Sequence, residues 1–337
     1  MTQTQLPIIA ITMGDPCGIG PEVVAKALAL QEVRDMCLPL VVGNIAAMEA
    51  ALALVESSIK VREAQGPHDV SPSSEMISVM DAHNLDPEEF MVGQVSSAAG
   101  KAAMEWVELA ARLCLNGRVR AMATAPLNKE AAKAGGYDEI GHTELLQSLT
   151  KAPQVATMLM SGTLRVVHLT THRSLRRACD AVTKENILSR LKLTHEHFQE
   201  WGFAQPRIGV AALNPHASDG GLLGDEEETA IGPAVEEARA EGIEAIGPVP
   251  ADIVFNQAID GKYDVVLCMY HDQGHIPVKV HGFEQSVSVN LGLPLVRTSV
   301  DHGTAFDIAG RGIANAESMV EAVKLAAALA SGRGLPR

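Results

Sequence analysis

Short, unbroken apolar runs that each end in a polar, histidine-bearing cluster constrain this chain more than any other feature. Asp264 is followed by Val265, Val266, Leu267, Cys268 and Met269, and then at once by Tyr270, His271, Asp272, Gln273, Gly274 and His275. A continuous apolar run is how a parallel strand covered on both faces reads, because neither set of alternating side chains meets water. In open α/β sheets ligands bind beyond the carboxyl ends of the strands. The same grammar recurs at residues 164–172 (LRVVHLTTH) and 207–216 (RIGVAALNPH). Three strands, each delivering a histidine at its C-terminal end, predict a metal site made of His172, His216 and His271. Imidazole nitrogen suits zinc, and three protein ligands with one position left open is the catalytic arrangement. Taken singly, each histidine could equally bond a backbone group at a strand end.

Further apolar runs at residues 8–13, 38–42, 76–80, 119–123, 155–160 and near 287 and 296 read as strands. Helices are expected at about 21–30, 97–115, 183–201 and 316–330. The first of these begins with Pro21 and carries Glu22 in its first turn, and the second stops at Asn116-Gly117. Strands alternating with helices predict an α/β fold with a largely parallel sheet. No unit of about 20–50 residues repeats, and no low-complexity linker interrupts the chain, so structured chain crosses any domain boundary.

A net charge of −14 and 3% aromatic residues argue against nucleic-acid or anionic-membrane binding, which need basic patches or stacking platforms. They leave room for an anionic small molecule at a local cluster of cations. Lys279 and Arg297, close to the strand ends, suit a phosphate or carboxylate clamp. His142 and Thr143 open a helix, where a threonine either caps the helix or meets an anion. Asp252 and Asp272 are candidates to orient a ligating histidine or to bind substrate hydroxyls. The loop GDPCGIGPE has neither GxGxxG nor P-loop spacing, so a tight turn and an anion-binding loop stand equal there. His168 and His281 read as structural, and His195 and His197 as solvated. Cys17, Cys37, Cys114, Cys179 and Cys268 form no CxxC pair and read as free thiols of a reducing compartment. The chain shows no secretory leader pattern and no apolar run of the roughly 20 residues a membrane span needs, which predicts a cytoplasmic protein.

Taken together, GDPCGIGPE, ATAPLNKEA, GHTE, LNPHASDGG, PADIVF, MYHDQGHIPVK and LGLPLVRTSVDHGTAFDIAGRG resemble, in order and from about residue 8 to 330, the 4-hydroxythreonine-4-phosphate dehydrogenase (PdxA) family. GIGPE and HGTAFDIAGRGIAN are also similar to the wider isocitrate and isopropylmalate dehydrogenase group. The resemblance implies a three-layer α/β fold whose two domains flank an active-site cleft. The expected division puts residues 1–125 with 300–337 in a first domain on the NAD side. Residues 126–299 then form a second domain carrying the metal and substrate ligands and the dimer contact. It implies NAD-dependent oxidation of a secondary alcohol on a 4-phosphorylated hydroxy acid, with loss of CO₂ from the β-keto acid and with a divalent metal (Zn, Mg, Co or Mn). The family's three metal histidines fall on His172, His216 and His271, the set already chosen from the strand ends.

Its substrate contacts fall on His142, Thr143, Lys279 and Arg297. A further substrate position that usually holds Asn is Ser288 here, with Asn290 two residues on. Lys279 would be proton donor or phosphate ligand, and Asp272 a catalytic carboxylate. By likeness to the dehydrogenase group, Gly303, Thr304 and Asp307 would face NAD, unless Gly303, Gly310 and Gly312 merely permit turns. The family's active site forms at a dimer interface, so a homodimer is expected. Its members divide among vitamin B6 biosynthesis, oxidation of 4-phospho-D-threonate or 4-phospho-D-erythronate in sugar-acid catabolism, and oxidation of a terephthalate-type cis-dihydrodiol. Rival readings from other classes are a metal-dependent aldolase or hydrolase and a sugar-phosphate-binding regulator.

Overall fold

The computed structural model describes residues 6–139 and 141–336. The chain forms two compact units, residues 1–153 with 293–333 and residues 154–292 with 334–337.

In the first unit the chain runs through β1 (Ile8–Thr12), α1 (Gly20–Ala29), α2 (Gln31–Arg34), β2 (Leu38–Val42), α3 (Ile45–Leu54), β3 (Lys60–Glu63) and β4 (Met76–Met80). It continues as α4 (Ser97–Leu115), β5 (Ala121–Thr124), α5 (Lys129–Ala134) and α6 (His142–Thr150). The second unit holds β6 (Ala156–Ser161), β7 (Leu164–His168), α7 (Leu175–Asp180), α8 (Lys184–Glu200), β8 (Ile208–Ala211), α9 (Gly232–Ala240), β9 (Ala245–Val249), α10 (Ala251–Ile259), β10 (Val265–Cys268), α11 (His271–Gly282) and β11 (Val287–Leu291). The chain then returns to the first unit with β12 (Arg297–Val300) and α12 (Glu317–Ala330).

The strands of the first unit lie in the order β3-β4-β2-β1-β5-β12, and every pairing is parallel. Each residue of β5 and of β12 is buried. Consecutive burial means that both faces are covered, as expected from the unbroken apolar runs. Helices α4 and α12 both pack on β1 and β5. Helix α4 is capped by the Ser96 side chain, which accepts from the Ala99 N–H. At its core, Trp106 is fully buried and donates its indole N–H to Asn84.

The second unit orders its strands β11-β6-β7-β10-β8-β9. Here β11 and β7 both run antiparallel to β6, and only β7, β10, β8 and β9 keep the parallel pattern. The strands β6 and β7 form a hairpin that turns at Gly162, with φ of 57°, and has no intervening helix.

The units divide elsewhere than at the expected 125/126 and 299/300 boundaries, for two reasons. Residues 297–299 pair in parallel with β5, so a cut after 299 would sever β12 from its neighbour. Helices α5 and α6 both pack on α4. The approach of α5 depends on Gly100, where a Cβ would stand 2.1 Å from the Ala131 carbonyl carbon.

Candidate functional site

The chemistry-bearing side chains form two groups, one on each unit. In the second unit, β10 delivers its polar cluster into a helix although Gly274 and Pro277 weaken one. Helix α11 starts at His271 and carries Pro277 within it. Its first turn is held from outside: Gln273 accepts from the Met269 N–H at 2.7 Å and donates to the Ala212 carbonyl at 2.7 Å. Gly274 lets that turn sit on the sheet, since a Cβ there would lie 2.5 Å from His168 Nε2 and 2.6 Å from Cys268 Sγ.

The rings of His172 and His271 stand 5.9 Å apart. His271 Nδ1 lies 2.7 Å from Asp272 Oδ1, so the ring donates to the carboxylate there and keeps Nε2 as its lone-pair nitrogen. That is how a carboxylate fixes the tautomer of a metal-binding histidine. His172 leaves its strand earlier than expected, four residues after β7 ends at His168. His216 is likewise not at a strand end but in a short helical turn, residues 215–219, whose backbone is left-handed at His216, Ala217 and Ser218. Among the described residues, no group of three or more His, Cys, Asp or Glu side chains stands at metal-holding distance. His172 and His271, with Asp272 on Nδ1 of the latter, have the donor chemistry a divalent cation takes, and His216 lies on the loop that follows β8, the strand paired with β10.

His275, part of the polar cluster that follows β10, and His168, read from sequence as structural, also belong to this group. His275 stacks on His271, rings 3.6 Å apart and 13° from parallel. His275 Nδ1 lies 3.0 Å from Nε2 of His168, and His168 Nδ1 lies 3.2 Å from the Thr157 carbonyl. A carbonyl only accepts, so His168 carries its proton on Nδ1 and receives His275 on Nε2. Burial, and then His275 beside it, push the His168 pKa down to about 3. The reading of His168 as structural describes its burial, but one of its two bonds runs to His275, the ring stacked on His271.

Lys279 lies two turns into α11, half-buried, with Nζ 5.2 Å from the centre of the Phe283 ring. Ser288, on β11 opposite Leu159, is half-buried. Asp252 is exposed in the first turn of α10, which packs on the turn carrying His216. His197 is not solvated, as the helix pattern suggested. Its Nε2 accepts from the Gly292 N–H at 2.7 Å and its ring lies 5.4 Å from Trp201. His195 also has a buried ring nitrogen.

In the first unit, Arg297 is buried and donates through Nε and Nη2 to Thr124 Oγ1, at 3.1 and 2.7 Å. Thr124 bonds Ser299 in turn at 2.9 Å. Burial lowers the Arg297 pKa to about 9, while Glu144 acts in the opposite direction. His142 begins α6 with its Nε2 buried and without a hydrogen-bond partner. Burial, then Arg297 and Lys129, hold His142 well below the ordinary histidine pKa, so its ring is neutral at pH 7. An orphaned buried nitrogen beside a buried guanidinium is an arrangement that a bound anion would complete. Thr143 is the second residue of α6 and Gly141 its N-cap, so the capping role does not fall to Thr143. Thus His142, Thr143 and Arg297 lie on the first unit, not on the one that carries Lys279 and Ser288.

The loop after β1 is built as a turn. A Cβ at Gly14 would stand 2.3 Å from the Pro126 carbonyl oxygen, and one at Gly18 would stand 2.6 Å from that of Thr304. Glu22 accepts from the Ala314 N–H at 2.8 Å, and Lys26 bonds Glu22 and the carbonyls of Gly312 and Ala314. These bonds fix the segment that follows Gly303, Thr304 and Asp307. Thr304 is buried, while Asp307 is exposed. Gly310 and Gly312 have φ of 74° and 71° and serve turns, but Gly303 has neither a positive φ nor any atom within 4 Å of a notional Cβ. Its missing side chain leaves open space rather than serving the backbone.

Parallel strands covered on both faces, with His172, His216 and His271 on the segments that follow β7, β8 and β10, define an α/β protein that carries its chemistry-bearing side chains beyond the carboxyl ends of its strands. The profile of the family described as pyridoxal phosphate biosynthetic protein PdxA matches residues 35–326. D-threonate 4-phosphate dehydrogenase of Cupriavidus necator is 48% identical over 329 residues, 97% of this chain and 98% of the relative. 4-Hydroxythreonine-4-phosphate dehydrogenase of Geobacter metallireducens is 45% identical over 334 residues, 98% of each. The 4-hydroxythreonine-4-phosphate dehydrogenase structure from Klebsiella pneumoniae superimposes with a TM-score of 0.91 at 43% identity, covering 98% of this chain and 100% of that one. The chain belongs to the PdxA family.

Proposed function

We propose that this chain is an NAD- and divalent-metal-dependent dehydrogenase that oxidises a 4-phosphorylated hydroxy acid. D-threonate 4-phosphate is the first substrate to expect, because the Cupriavidus necator enzyme of that name matches nearly the whole chain at 48% identity. 4-Hydroxythreonine 4-phosphate is the second, favoured by the Geobacter metallireducens relative and the Klebsiella pneumoniae structure. The observation that carries the reading is end-to-end family membership joined to the His172–His271 pair with Asp272 on Nδ1.

When bound, a divalent cation would supply Lewis-acid chemistry toward the substrate alcohol, and NAD would supply a hydride acceptor. His172, His216 and His271 would hold that cation, Asp272 keeping Nε2 of His271 available to it. Arg297 and the neutral His142 would bind the phosphate or carboxylate, with Thr143 beside them, while Lys279 would supply a proton or a further phosphate contact. Ser288 and Asp252 would meet the substrate's hydroxyl or amino end. Gly303, Thr304 and Asp307 would border NAD, a reading supported by the open space at Gly303.

A homodimer is part of the proposal. Ile276 and Val280 are 59% and 82% exposed on the helix that His271 begins, and Phe283, just past its end, is 66% exposed. An apolar stripe at this spacing is the pattern of a helix face that meets a partner. Among the described residues, no helix is long and apolar enough to cross a membrane.

Replacing His271 with Ala tests the assignment. Metal-loaded wild-type protein should reduce NAD with D-threonate 4-phosphate, and the variant should lose cation binding and turnover together while its circular dichroism stays native. A variant that keeps full turnover would remove His271 from the site.

A further inference from the structure

The loop that carries His216 holds an unusual backbone. His216, Ala217, Ser218 and Asp219 have φ of 54°, 54°, 67° and 49°, followed by Gly220 at 70° and Gly221 at 91°. L-residues are disfavoured in this region because Cβ crowds the following carbonyl, and they visit it singly rather than in runs. A run of four such residues persists only where the surroundings over-determine it.

The surroundings here converge on Glu227. Glu227 is 4% exposed. Oε1 accepts from the backbone N–H groups of Leu213 and Asn214, both at 2.7 Å, and Oε2 accepts from Asn214 Nδ2 at 2.8 Å. Asn214 Nδ2 also donates to Glu226 Oε2 at 2.6 Å. Gly224 makes room for this clasp, since a Cβ there would lie 2.5 Å from Asn214 Nδ2. Glu227 itself opens a π-helical stretch, Glu227–Ile231, the kind of widened turn that re-aims a side chain relative to a regular helix. One residue earlier, Ala212 is pinned by its N–H to Val249 and by its carbonyl to Gln273 of α11. The chain therefore enters the left-handed turn at a fixed point and angle.

We propose that Glu227 is a positioning residue for His216: it fixes the left-handed turn and so sets the direction in which the imidazole is presented. The proposal rests on the reading of His216 as a cation ligand. His216 and Asp219 are exposed in this turn, while Ser218 between them is buried and accepts from the N–H groups of Gly221 and Leu223. A carboxylate serves the role where an amide does so less well, since all three partners are N–H donors and both oxygens are used.

The test compares full-length wild type, Glu227→Ala, Glu227→Gln and Asn214→Ala by hydrogen–deuterium exchange of the metal-free proteins over residues 213–221, by Co²⁺ affinity and by the visible spectrum of the Co²⁺-loaded proteins. Glu227→Ala should exchange faster in this segment, bind Co²⁺ about tenfold to a hundredfold more weakly, and show an altered Co²⁺ spectrum. Glu227→Gln, which keeps one acceptor oxygen, should fall between it and wild type. Unchanged exchange, affinity and spectrum in Glu227→Ala overturn the proposal, even if its melting temperature falls, because a merely stabilising residue would leave the metal geometry alone. If Glu227→Ala does not fold, Asn214→Ala decides by the same readouts, and wild-type values in it overturn the proposal. If wild type binds no Co²⁺, the cation assignment fails separately. Exchange over residues 213–221 then decides whether Glu227 holds the turn.

Discussion

His142 shows how one side chain links the site to the stability of the whole protein. Its folded-state pKa lies well below 6.5, with burial the first cause and Arg297 and Lys129 next. In the unfolded chain it takes up a proton below about pH 6.5. The unfolded state therefore binds more protons than the native state in acid, so this stabilising contribution is present above pH 6.5 and is lost as pH falls below it. Urea unfolding at pH 7.5 and 5.5 should show a loss in wild type that is smaller in His142→Gln, by up to about 1.4 kcal/mol per pH unit. Equal pH dependence in the two proteins would refute a neutral buried His142. At this scale the sequence was legible where a histidine follows an apolar run, as at His172 and His271. The bond of His275 to His168 was not, because it joins positions 107 residues apart and no local pattern announces it. His197 was misread for a related reason: its neighbours on α8 are polar, but Trp201 and the Gly292 N–H cover its ring.

Elements followed their local patterns wherever tertiary contact and propensity agree. Helix α4 has its Ser96 cap and its apolar face, and α8 is capped by Thr183, so both lie where the periodicity puts them. Helix α11 does not follow from its sequence, since HDQGHIPVK carries a glycine and a proline that weaken a helix. Its first turn is imposed by Gln273 and by the close seat of Gly274 on β7 and β10. Gly274→Ala should therefore destabilise the protein, by about 1–3 kcal/mol, although alanine favours helices. A denaturation midpoint equal to or above wild type would show that α11 is not seated this way. Gly100→Ala should be worse, since its Cβ would meet backbone atoms of α5 rather than movable side chains. The left-handed turn at His216 was equally hidden, because only the pair Gly220-Gly221 within it favours such a backbone.

At the scale of the whole molecule, the parallel α/β character was legible from unbroken apolar runs, while the division into units was not. The first unit gathers its last strand and helix from far along the chain, and the pairing of β12 with β5 is a long-range contact. The exposed stripe on α11 makes a prediction here: Val280→Glu should shift the sedimentation coefficient from dimer to monomer and lower turnover, whereas an unchanged dimer would place the partner contact elsewhere. The central claim is tested most directly by following NADH formation with purified, cation-loaded protein and D-threonate 4-phosphate, D-erythronate 4-phosphate and 4-hydroxythreonine 4-phosphate in parallel, each with and without a chelator. The account predicts NADH formation with D-threonate 4-phosphate, abolished by the chelator and restored by added divalent cation. Absence of NADH with all three substrates, or a rate the chelator leaves untouched, would contradict it.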